Sequence, residues 1–224
     1  MTGIKGFHDK NHTKKGWGGS RFFRTSNASL RRYLKETTLI SDRKIAILAD
    51  DGVNQRQLTD IRDTLEKNGI TSDLIACRKR EIKGWENRNW GIRFRVDALI
   101  KGSNPEDYDG IIIPGGVLHA DRLRENEGCN SFIRQLFTSG KIVAALGHGV
   151  QVLIGSGILE ERKVTGSPSI ATDLRNAGAI FQDQDIVIDN GLLTVKNEKS
   201  VTAFMVQLVD ALRRGLRQRS DAVI

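Results

Sequence analysis

A histidine flanked by glycines, Gly147-His148-Gly149, stands between two apolar stretches. Before it, Lys141-Ile-Val-Ala-Ala-Leu146 has the pattern of a short buried strand. After it, Val150-Gln-Val-Leu-Ile-Gly-Ser-Gly157 begins a helix and ends it on glycine. A strand passing through a tight turn into a helix is how hydrolytic α/β folds raise a nucleophile above a sheet edge. The apex is where backbone strain and a helix N-terminus favour an anion. Here the apex is Gly147, which has no side chain to react.

Other groups are candidates for the missing chemistry. Pro114-Gly115-Gly116 offers backbone N–H groups to a small anion. His148, His119 and Asp121 together could hold a zinc ion, but their spacing is not a metal signature, and no metal or cofactor is assigned. Cys77, at the end of a predicted strand near the site edge, is either a displaced nucleophile or a buried structural cysteine. Cys129 follows the acidic run Glu125-Asn-Glu127, which would raise its pKa. Ser167-Pro-Ser169 reads as a helix start rather than a nucleophile.

The elements that must position these groups alternate regularly from residue 44 onward. Strands are predicted at 44–49, 72–77, 108–113, 141–146, 163–165, 185–188 and 192–195. Helices are predicted at 57–67 (Leu58, Ile61 and Leu65 inward), 126–140 (Phe132, Ile133, Leu136 and Phe137 inward) and 169–177. A last helix starts near 200, with Val201, Phe204, Leu208, Val209 and Leu212 inward. Residues 81–96, with Trp85, Trp90, Ile92 and Phe94, form a small antiparallel excursion. This predicts an α/β, flavodoxin-like, doubly wound and mostly parallel sheet with helices on both faces. Sites in such sheets lie beyond the C-terminal strand ends, where loops 50–56, 114–121 and 147–149 converge.

Composition bounds the rest. The 224 residues suit one domain with flanking segments: a basic arm or linker at 1–40, the domain at 41–216 and a tail at 217–224. Residues 1–44 hold 11 Lys/Arg against 3 Asp/Glu, so the whole formal charge of +8 sits there and the remainder is balanced. The arm is read as solvated; its Arg, Lys, Trp and Phe would also suit a nucleic acid, a protein partner or another acidic surface, though no motif supports nucleic acid. No apolar run approaches the roughly 18 residues that span a membrane. No secretory signal is visible, and two cysteines make no disulfide framework, so a reducing cytoplasm is expected.

From Lys44 to Leu212 the chain resembles the DJ-1/PfpI superfamily, the class I glutamine-amidotransferase-like fold. The carriers are Asp109-Gly-Ile-Ile-Ile-Pro-Gly-Gly116, Ala144-Ala-Leu-Gly-His-Gly-Val-Gln151, and Arg162-Lys-Val-Thr-Gly-Ser-Pro-Ser-Ile170 with Asp173-Leu-Arg-Asn-Ala-Gly-Ala179, the last resembling the PfpI branch. The resemblance implies that the family's nucleophilic cysteine corresponds to Gly147, its acidic partner to Asn54 and its histidine to His148. Asp121 stands near a carboxylate that reaches a neighbouring subunit, and Pro114-Gly-Gly116 would be an oxyanion hole. The first loop and the Gly-His-Gly elbow are also similar to the C-terminal domain of large-subunit catalases, which lacks the cysteine. The expectation is a pseudoenzyme, stress-related by that likeness, acting as a homo-oligomer (dimer or hexamer) or by binding a partner or small ligand at Gly115, Gly116, His119, Gly147 and His148. The alternative is an active hydrolase, deglycase or glyoxalase-type enzyme using His148 with Asp121, or Cys77.

Overall fold

The computed structural model describes residues 41–214, so the predicted arm at 1–40 and tail at 217–224 lie outside the described residues. In chain order the elements are β1 (Lys44–Leu48), β2 (Val53–Asn54), α1 (Gln55–Lys67), β3 (Thr71–Ala76), β4 (Glu81–Glu86), β5 (Asn89–Arg95) and β6 (Ala98–Leu99). Then come β7 (Gly110–Ile113), α2 (Val117–Arg124), α3 (Glu127–Thr138), β8 (Ile142–Leu146), α4 (Val152–Ser156), β9 (Lys163–Val164) and α5 (Ala171–Asn176). The series closes with β10 (Ile180–Phe181), β11 (Ile186–Asp189), β12 (Leu192–Val195) and α6 (Val201–Arg214).

Seven strands form one sheet in the order β11-β12-β8-β7-β1-β3-β6. All neighbours in it are parallel except β11 and β12. Alternate residues of each central strand leave by opposite faces, and the two cores show this directly. Ala46, Leu48, Ile111, Ile113, Val143 and Ala145 pack with Phe132, Ile133 and Leu136 of α3. Ile45, Ile47, Ile112, Ala144 and Leu146 pack with Leu58, Ile61 and Leu65 of α1 and Phe204 and Leu208 of α6. Near-continuous apolar strands follow from burial on both faces. The doubly wound sheet and the inward helix faces therefore stand as the hydrophobic pattern predicts.

The excursion is a hairpin, β4 with β5, joined to the main body by parallel pairing of β2 with β4. Its two turn residues, Asn87 and Arg88, both have positive φ, the conformation that matches the twist of a two-residue hairpin. Three local expectations change. Residues 50–56 hold β2 and the start of α1, and 117–124 is helix rather than loop. The segment after the Gly-His-Gly elbow is a 3₁₀ turn over Gly147–Gln151, with α-helix only over Val152–Ser156 before Gly157 closes it at φ 69°. Among the described residues no helix is long and apolar enough to cross a membrane.

Cys77 and Cys129 are joined in a disulfide that ties the end of β3 to α3. This corrects the expectation that the two cysteines make no disulfide framework. It also removes Cys77 as a displaced nucleophile, because the sulfur carries no free thiol.

Candidate active site

The chain passes from β1 to β3 on one side and later returns to β7 on the other, so the sheet order reverses between β1 and β7. Loops at such a reversal point diverge and leave a crevice. Here the three predicted loops meet: the Asn54 N–H donates to the Gly115 carbonyl at 2.8 Å, and a cavity of about 350 Å³ opens among Asn54, Gly115, Gly116, Gly147 and His148. Gln57, Trp85, Val117, Ser167, Lys196 and Asn197 complete its lining.

Gly147 is the first residue after β8 and has φ 55°, a left-handed value that glycine adopts at no steric cost. A Cβ added there would meet only the Lys196 carbonyl, at 3.9 Å. The space over the elbow is thus open. Gly116 is constrained differently: a Cβ would lie 2.5 Å from the Gly52 carbonyl and 2.9 Å from the Asn54 nitrogen. Its φ of 125° also belongs to glycine.

His148 is half-buried beside Gly147, and burial lowers its pKa below the ordinary value of 6.5. At neutral pH the ring is therefore an uncharged base. Its Nε2 lies 2.9 Å from the Ser169 hydroxyl, which lies 3.1 Å from the Ser167 hydroxyl. A helix start at Ser167-Pro-Ser169 does form, as a 3₁₀ turn over Pro168–Ile170, but the Ser167 side chain makes no capping bond.

Several expected roles change in this geometry. The Gly115 N–H already donates to Gln57 Oε1 at 2.6 Å, so it is not a free oxyanion donor. His119 is fully buried beneath the loop, outside the cavity lining, with Nε2 donating to the Pro114 carbonyl at 2.8 Å and no hydrogen-bond partner for Nδ1 among the described residues. Burial pushes its pKa down to about 4, with hydrogen bonds to Pro114 and Gly115 opposing the fall. It braces the loop and does not reach a ligand in the cavity. Asp121 is exposed on α2, outside the cavity. The zinc constellation His148, His119 and Asp121 is not assembled; among the described residues no three His, Cys, Asp or Glu side chains gather as a metal site. Asn54 caps α1 by accepting from the Gln57 N–H at 3.0 Å.

The DJ-1/PfpI family matches residues 43–211. The chain belongs to the DJ-1/PfpI family. A deglycase of Pyrococcus horikoshii is 36% identical over 123 residues, covering 55% of this chain and 74% of the relative. Protein/nucleic acid deglycase 2 of Escherichia coli is 32% identical over 164 residues, covering 72% and 93%. Schizosaccharomyces pombe DJ-1 superposes with a TM-score of 0.67 at 19% identity, covering 80% of this chain and all of that one, which speaks for the fold. Four relatives that are 29–36% identical carry the names of enzymes, deglycases, and these overturn the pseudoenzyme expectation.

Gln57, Trp85, Lys196 and Asn197 escaped the sequence reading. Trp85 carried a signal, as an aromatic in a hairpin beside the first loop. Gln57 carried none, being one polar residue in the first turn of a helix.

Proposed function

We propose that the chain is a deglycase-type hydrolase that removes a small carbonyl-derived adduct from an amino group, in the cavity between Gly116 and Gly147. The observation that carries this reading is His148: a base kept neutral by burial, beside the open elbow, hydrogen-bonded to a serine hydroxyl. The deglycase names of the relatives support it. When a dicarbonyl adds to an amine, the adduct is isomeric with the amide of a 2-hydroxy acid. A base converts one into the other by taking the proton from the carbinol carbon, giving an enediol that is reprotonated on the former ketone carbon; hydrolysis of the resulting amide returns the amine and the acid, and no external oxidant or reductant is needed. Such a step requires a base to take a proton from the attacking oxygen, which His148 supplies. A cavity of about 350 Å³ accommodates a few-carbon adduct at the end of a side chain or on a base.

The test is release of free amine from N-acetyl-lysine pretreated with methylglyoxal, compared between the parent protein and His148→Gln. Loss of a general base lowers the rate by about 10²–10⁴-fold. Equal rates would refute the role of His148.

A second copy of the chain is the partner we propose. Exposed Val117 and Leu118 on α2 and exposed Trp90 and Ile92 on β5 support this, since exposed apolar groups favour association.

A further inference from the structure

Gly147 leaves the elbow without a reactive atom, but it does not leave the cavity without one. Ser167 lines the cavity alongside Gly147 and His148. Its hydroxyl is not engaged in capping the turn that follows. Its backbone N–H donates to the Gly147 carbonyl at 3.3 Å, which fastens it to the apex of the elbow. Just upstream, buried Thr165 is anchored twice: its N–H donates to Thr194 Oγ1 at 2.9 Å and its own hydroxyl to the Gln184 carbonyl at 2.6 Å. The segment carrying Ser167 is therefore held at both the elbow and the sheet, as a reacting group must be.

The Nε2 atom of His148 is occupied by Ser169. A proton can reach this base from the cavity through that hydroxyl, and Ser169 in turn touches Ser167. Two hydroxyls in series between a reacting oxygen and a base conduct a proton by each passing one on.

We propose that the Ser167 hydroxyl is the nucleophile, activated through Ser169 by His148, on small N-acyl adducts of amines. The substrate class rests on the deglycase-type reading; the nucleophile does not. In the first step Ser167 Oγ bonds to the acyl carbon, and the carbonyl π pair moves to its oxygen. The Ser167 proton passes to Ser169 Oγ as the Ser169 proton passes to Nε2. When the carbonyl re-forms, the C–N bond breaks and the amine departs with the proton held on His148, leaving an acyl-Ser167. Water then bonds to the acyl carbon and gives a proton to His148. Collapse breaks the Ser167 Oγ–C bond, releases the acid and returns the proton to Ser167. The sum is amide plus water to acid plus amine.

The absent side chain at Gly147 acquires a positive reading here. With nothing on the apex, the acyl group has room to approach Ser167.

The experiment is covalent labelling by a fluorophosphonate, located by mass spectrometry of tryptic peptides, run beside amine release from the methylglyoxal adduct. The expected result is one label per chain, on Ser167. Ser167→Ala should abolish labelling and lower turnover about 10³-fold or more, while Ser169→Ala and His148→Gln should each slow labelling by about 10²-fold. Ser169→Thr, which keeps a hydroxyl, should recover most of the labelling rate. Circular dichroism checks that each variant is folded. Adduct turnover with no label, or with the label elsewhere, overturns the serine nucleophile and leaves the deglycase reading standing. A label on Ser167 without adduct turnover supports the nucleophile and overturns the substrate class. Unchanged labelling in Ser169→Ala removes the relay.

Discussion

Replacing His119 with glutamine should flatten the acid side of the stability curve. The ring is fully buried, and its pKa falls from 6.5 to about 4 in the folded chain. The unfolded chain keeps the ordinary value of about 6.5 and so binds a proton first as pH falls. Stability from the neutral ring is therefore present above about pH 6.5 and is lost as pH falls toward 4. The full shift corresponds to about 3 kcal/mol, of which about 2 kcal/mol is lost between pH 7 and pH 5. Glutamine preserves a donor for the Pro114 carbonyl but does not titrate. At pH 7 the variant should be less stable than the parent, through poorer packing around the loop. At pH 5 that gap should shrink by about 2 kcal/mol, because only the parent has taken the penalty. The assay is urea unfolding followed by tryptophan fluorescence at both pH values, with the slopes checked for equality. His148 titrates in both proteins and cancels from the comparison. Parallel pH dependence in parent and variant would refute the assignment of a neutral, buried His119.

Four further outcomes follow from the same geometry. Gly116→Ala drives a Cβ into the Gly52 carbonyl and the Asn54 nitrogen; thermal unfolding should show a loss of about 2–3 kcal/mol or more, and adduct hydrolysis should fall with it. Gly147→Cys should fold, because its Cβ meets nothing closer than 3.9 Å; the left-handed backbone costs about 1–2 kcal/mol, read as a Tm several degrees lower. Reducing the disulfide between Cys77 and Cys129 reopens a loop with a sequence separation of 52, and denaturant unfolding with and without dithiothreitol should show a loss of about 2–4 kcal/mol. Because burial lowers the His148 pKa, the acid limb of kcat/KM should fall below the ordinary histidine value of about 6.5, and a limb at or above it would contradict a neutral His148 base.

The sheet was legible because its strands are buried on both faces, and runs such as Ile45 to Ala49 and Ile111 to Ile113 leave little else for the chain to do. The elbow was legible for the same reason, being an apolar run stopped by Gly147. Helix α2 was not. It opens on Gly116 without a side-chain cap, and Val117 and Leu118 at its start are exposed, so no one-sided apolar stripe announces it. The disulfide was hidden because Cys77 and Cys129 come together only when β3 and α3 pack. The link from Ser167 through Ser169 to His148 was hidden likewise. His148 stands 21 residues before Ser169, and the same Ser-Pro-Ser pattern starts many helices. Gly116, Gly147, His148 and Asn54, named from the sequence, line one cavity. His119 and Asp121 lie outside that cavity because 117–124 is helix, which buries His119 beneath the turn and leaves Asp121 exposed.

The most direct test of a deglycase site that works without a thiol is multiple-turnover amine release from the methylglyoxal adduct by Cys77→Ala/Cys129→Ala, confirmed as folded and compared with the parent. Both proteins should release many amines per chain at similar rates, since neither sulfur belongs to the cavity. No release above buffer by the parent would contradict the deglycase reading, and release that vanishes only in the thiol-free variant would return the chemistry to a cysteine.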